Sequence, residues 1–282
     1  MMLWESVQQF ARLIGSLADQ QMELPWRWGD YDEGARFAFF RVYEELCKLA
    51  VEIEVSRSTS ASPQSITQRI LAQYHLAYRD LQAVLLGASP SLAQVEPAPE
   101  EWPLLKVLIH MVSVERNFLT INWYALEQWR GGEQYPPEIS DEAWEAFWAG
   151  DAFEKVVDSQ ELDGLLNYYD SLHTRVIDSF QDVTYEELQI PVAYWEKTRL
   201  PLQFRLHRFD SHLRQHTIQV EKTLVWLGVS APEAHRLLRN IYSALAQAEG
   251  ALIGAPGYAA HEVQTVVAGI SSYSAEIAPL LT

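Results

Sequence analysis

Apolar side chains recur every three to four residues along most of this chain, as in helices that bury one face and leave the other to solvent. That period predicts helices over Leu3–Met22, Asp32–Val55, Ser65–Leu86, Pro103–Trp129, Asp141–Asp158, Glu161–Phe180, Arg199–Leu227, Pro232–Ile253 and Tyr258–Leu280. The alternating Val/Ile/Thr-rich runs that half-buried strands require are missing. The expected fold class is therefore all-α.

Turn chemistry separates the segments. The stretch from Ser56 to Pro63 is small and polar and reads as an exposed connection, and Gly87 to Pro99, with Pro90 and Pro97 inside it, reads as a loop. Gly131 and Gly132, followed by Pro136 and Pro137, stop a long helix; Ser140 then caps the next, with Asp141 and Glu142 at its positive end. Gly228 suits a helix C-terminus, and Pro232 suits the first turn of the helix after it. These signals divide the chain into an N-terminal helical extension (1–60), a core of four principal helical layers (61–229) and a C-terminal helical pair packing on that core (230–282). The stretch Glu33–Leu46 weakly echoes Glu233–Leu245, a likeness amphipathic helices share freely but one that fits flanking pairs packed in related ways.

Composition narrows the partners. With 282 residues and 48% hydrophobic side chains the chain can bury a substantial core, as one large domain or two small ones. Its formal charge of −17 repels phosphates and anionic lipid, so neither nucleic acid nor a membrane surface is expected as a partner. No apolar run approaches the roughly 18 residues of a membrane span, and the N-terminus lacks the basic and apolar regions of a secretory signal. A lone Cys47, read as a buried structural thiol, fits a reducing compartment, and a cytoplasmic location is expected. The 10 Trp and 13 Tyr are read as core packing, with Trp26 and Trp28 sealing the connection between the first two helices.

Among eight histidines, only His212 and His216 stand four apart. Their imidazoles share one helix face a turn apart, which lets both reach a single ion. Leu206, Phe209, Leu213, Val220, Leu224 and Leu227 trace an apolar stripe that contains His216 and is edged by His212. On the earlier helix His110 lies at the edge of the face formed by Val107, Met111, Val114, Phe118 and Ala125. Helical bundles assemble interior metal sites in this way, from histidines on facing helices. Three neutral nitrogens with open positions suit zinc, nickel or ferrous iron, and ligating nitrogens should then lie roughly 3–4 Å apart. The competing reading makes all three core-edge histidines, hydrogen-bonded to backbone or to Glu115 and Gln219. His207 points to another face and is excluded, whereas His75 is a reserve ligand.

At these residues the chain resembles the DinB/YfiT-like superfamily. The matching stretches are Pro99-Glu100-Glu101-Trp102 through His110 to Arg116, and Ser211-His212 through His216 to Gln219; the likeness covers about residues 61–229. The resemblance implies a DinB-like four-helix bundle, here with additional N- and C-terminal helices, and assigns His110, His212 and His216 to one divalent metal ion. It further implies a metal-dependent enzyme such as a thiol-dependent S-transferase, with a low-molecular-weight thiol and a small-molecule substrate as partners. A non-catalytic ligand-binding or interaction protein, with a structural ion or none, is the alternative. Glu115, Asp210 and Gln219 are then candidates to orient the imidazoles, and Arg214 to meet an anionic substrate. The terminal helices either cover the mouth of the site or form a homodimer interface.

Overall fold

Ten α-helices carry the chain in the computed structural model, which describes residues 2–196 and 198–281. They are α1 (Leu3–Ile14), α2 (Arg36–Ser58), α3 (Ile66–Val84), α4 (Leu104–Arg130), α5 (Asp141–Phe147), α6 (Phe153–Ser159), α7 (Leu162–Phe180), α8 (Leu202–Trp226), α9 (Glu233–Leu252) and α10 (Ala260–Ile277). The fold is all-α, as the period predicts. No helix among the described residues is long and apolar enough to cross a membrane.

Several helix ends follow directly from local chemistry. Ser65 Oγ accepts from the Gln68 backbone N–H at 3.1 Å while Gln68 Oε1 accepts from the Ser65 N–H, a reciprocal cap that starts α3. Ser140 Oγ accepts from the Ala143 N–H at the start of α5. Two predicted helices are broken in the structure. The first ends at Ile14, and a short 3-10 turn, Asp19–Glu23, takes up its remainder. The fifth divides where Gly150 adopts φ +78°, a left-handed conformation that glycine reaches without strain, and the Asp151 carboxylate then caps the Phe153 N–H at 2.9 Å.

A further departure is a two-stranded antiparallel hairpin, β1 (Pro191–Ala193) and β2 (Arg199–Pro201), with Val192 opposite Leu200. Strands this short, each with a proline, leave no alternation to read. The polar stretch after Val55 also differs from expectation. Helix α2 runs on to Ser58, and Arg57 within it is buried, donating to the Ala251 and Ile253 carbonyls at 2.6 and 2.9 Å. Cys47 is half-buried on α2.

The chain forms two compact units. One takes the residues up to Gln64, Arg79–Gly87 and everything from Val229 on. Its core joins Val7, Phe10 and Ile14 of α1 to Val42, Leu46 and Ile53 of α2, Leu238, Ile241 and Leu245 of α9, and Ile270 of α10. Arg36 pairs with Glu233 at the N-terminal ends of α2 and α9, and Arg57 reaches Ala251 at their C-terminal ends, so these two helices run parallel. Trp26 is buried here and donates to Glu276, while Trp28 stacks on Tyr31.

The other unit comprises Ser65–Tyr78 and Ala88–Gly228. Its layers are the first part of α3 with α4, α7 and α8, and the hairpin leads directly into α8, Leu202 N–H donating to the Ile190 carbonyl at 2.8 Å. Phe118, Phe180 and Phe209 fill its interior with Tyr74 and Tyr169.

Candidate metal centre

Helices α4 and α8 pack side by side, and each brings histidine to the same place. His110 lies in the second turn of α4, after Pro103 and the loop carbonyl of Ala93 have set the entry angle; the Leu105 N–H donates to that carbonyl at 2.8 Å. On α8, Phe209, Leu213 and Val220 are buried in the bundle, and their stripe turns His212 and His216 inward. The ring of His110 lies 5.5 Å from that of His212 and 4.8 Å from that of His216, and the two α8 rings are 4.4 Å apart, all centre to centre.

One ring nitrogen from each of the three lies within 4.8 Å of the others. Bonds of about 2.1 Å to one ion imply separations of roughly 3–4 Å, a difference that small side-chain rotations close. His212 and His216 are buried, and His110 is partly so. Both ring nitrogens of His212 are buried without a hydrogen-bond partner. Such orphaned polar atoms are costly in a protein interior. Burial, reinforced by His216, His110 and Arg208, pushes the His212 pKa down to about 3, and burial with His216 lowers that of His110. His212 is thus neutral at ordinary pH, the state in which imidazole offers a lone pair to a metal. The donor set and the orphaned His212 nitrogens both fit a divalent ion.

Gln219 Oε1 accepts from His216 Nδ1–H at 2.8 Å, which fixes that ring and leaves Nε2 as its basic nitrogen. Phe118 meets His212 edge-on at 5.6 Å, and Trp102 meets His110 at 5.5 Å, so aromatic rings border two sides of the cluster.

The remaining sequence candidates have other partners. Glu115 is fully buried, and its two oxygens accept from Tyr74 Oη at 2.6 Å and Tyr169 Oη at 2.5 Å. Desolvation raises its pKa to about 7 against the lowering effect of those two donors. Asp210 accepts from Arg214 Nε at 2.7 Å, one turn along the same helix. His75 stands apart from the three and meets His173 instead, ring nitrogens 2.9 Å apart. Tyr74, Tyr169 and His173 escape sequence reasoning, because their chemistry depends on which neighbour faces them. Arg208 is also missed there, although its place four before His212 is open to view.

The sequence profile of the DinB superfamily matches residues 73–220, more than half of the chain and the span that carries all three histidines. No curated protein and no solved structure gives a match.

Proposed function

Because the chain belongs to the DinB superfamily, we propose that His110, His212 and His216 hold one divalent metal ion and serve a metal-dependent enzyme, a thiol-dependent S-transferase acting on a small molecule. The observation that carries this reading is the pair of buried, unpartnered His212 nitrogens within a cluster of three imidazole donors. An ion bound there would supply Lewis acidity, lowering the pKa of a bound thiol or water and fixing its position.

The chain's own residues prepare that chemistry. Burial keeps His212 unprotonated, so its lone pair stays available at any physiological pH. Gln219 holds the His216 tautomer. The buried Phe118 excludes water from one flank of the triad, which strengthens electrostatic interactions there, while the more exposed Trp102 borders the His110 side. Three neutral ligands leave the ion its full charge, and unlike carboxylates they do not oppose an incoming thiolate.

The test is elemental analysis of the purified protein beside the His212→Ala and His216→Ala variants. About one equivalent of metal is expected in the unaltered protein and a small fraction of that in each variant. Equal content in all three would overturn the assignment. A panel of low-molecular-weight thiols against an electrophile, such as an epoxide or a chlorinated aromatic, then reads the transferase. Metal retained with no thiol consumed would leave a non-catalytic ion site.

A further inference from the structure

Arg208 precedes His212 by one helical turn, as His212 precedes His216, so the three share a face of α8. The half-buried guanidinium of Arg208 lies 5.9 Å from the centre of the Phe118 ring. Phe118 in turn borders His212 and stacks against Trp195, 6.1 Å away and 63% exposed. A cation and an exposed tryptophan, joined through the buried Phe118, thus lie on one side of the histidine cluster.

The neighbouring acids bond directly to other cations, although Arg208 attracts Glu196 through space. Glu196 is paired with Arg205, whose guanidinium also donates to the Val192 and Thr198 carbonyls. Asp210 is paired with Arg214. Arg208 makes no ion pair among the described residues, although the chain has 38 acidic side chains against 21 basic ones. A guanidinium presents two parallel N–H donors that match the two oxygens of a carboxylate, and the pairing strengthens where water is partly excluded. One cation balances one negative charge. The −17 field of the molecule works against anything more highly charged, which disfavours a phosphate dianion.

We propose that Arg208 is the anion-binding residue of the histidine site and that the site's substrate is a small carboxylate carrying a flat apolar group, which lies against the exposed Trp195. The assignment rests on the reading of the cluster as a site for a small molecule. It does not require that the ion be catalytic.

Benzoate and the isosteric but neutral benzamide are the probes, titrated calorimetrically into the full-length protein in zinc-loaded and metal-free forms. The unaltered protein is expected to bind benzoate more tightly than benzamide in both forms. Arg208→Gln should keep the zinc content and helicity of the unaltered protein, weaken benzoate about tenfold or more, and leave benzamide unchanged. Arg208→Lys, which keeps the charge but loses the fork, should fall between. Equal benzoate affinity in the unaltered protein and Arg208→Gln would overturn the proposal, as would an unaltered protein that binds benzoate no better than benzamide. Failure of the metal assignment shows separately: zinc is then not retained, while benzoate binding to the metal-free protein still depends on Arg208.

Discussion

Glu115 shows what one position in a sequence reveals and what it withholds. The sequence offers it as a candidate to orient the imidazoles; it is instead fully buried, and the partners it meets are Tyr74 of α3 and Tyr169 of α7. Partners across a bundle depend on the rotation and register of each helix, which no single helix encodes. His212 and His216 need no such knowledge, because a four-residue spacing on one helix fixes their proximity. His110 stands between these cases: its face is legible, and its pairing with α8 is an expectation of bundle geometry that the family resemblance strengthens. The buried acid has a measurable consequence. With a folded pKa of about 7 against 4.5 for the ordinary side chain, Glu115 is held as the neutral acid. Its contribution to stability is complete below the unfolded pKa and is lost as pH rises through the folded one. Stability of the metal-free protein is therefore expected to fall by about 3 kcal/mol between roughly pH 4.5 and 7 through this group, each tenfold difference in proton affinity between the folded and unfolded chain being worth ~1.36 kcal/mol. Glu115→Gln, whose amide can meet both tyrosine hydroxyls, should lack that slope. Urea unfolding midpoints at pH 5, 6, 7 and 8 decide it, and parallel curves for the two proteins would refute the assignment.

Elements were legible where a local signal bounds them and invisible where it does not. The Ser140 cap starts a helix in both sequence and structure, and α3 begins beside Ser65, where the sequence places a helix start and the structure adds the reciprocal bonds to Gln68. The apolar period continues across Gly15 and Gly150, so it hides the breaks there. The hairpin at 191–201 carries no strand alternation, its second strand falls where the sequence predicts the start of a helix, and what organises it is one side chain from the following helix. Arg205 is 2% exposed; it pairs with Glu196, reaches the Val192 and Thr198 carbonyls, and lies over the Tyr194 ring at 3.9 Å. The backbone of the hairpin is thus tied to α8 by a residue outside the strands. Arg205→Met, which keeps much of the apolar stem, leaves those carbonyls without their donor and is expected to cost about 2–3 kcal/mol. Limited proteolysis should find the segment between Tyr194 and Arg199 cut faster than in the unaltered protein. An unchanged unfolding midpoint with unchanged cleavage would show that the strands hold their own register.

At the scale of the molecule, amphipathic stripes announce that each terminal helix buries a face but not what covers it. The structure joins the two ends of the chain in one core, with α2 and α9 lying parallel although almost two hundred residues separate them. Their faint sequence likeness coincides with that parallel alignment, Arg36 lying against Glu233 where the two similar stretches begin. Neither end can then satisfy its apolar face alone. Without α9 and α10, Val42, Leu46 and Ile53 of α2 lose Leu238, Ile241 and Leu245 as neighbours, and each such side chain returned to water forfeits roughly 1.5–3 kcal/mol. Against that loss, α1 and α2, with 12 and 23 residues, have only their own marginal helix propensity. Deleting residues 230–282 is expected to lower far-UV ellipticity by more than the deleted helices account for, since α1 and α2 melt as well, and to create a surface that binds hydrophobic dyes. Deleting residues 1–60 should do the same to α9 and α10. A chain lacking residues 230–282 that keeps the helicity of α1 and α2 and binds no dye would mean that the first two helices bury their faces without the last two.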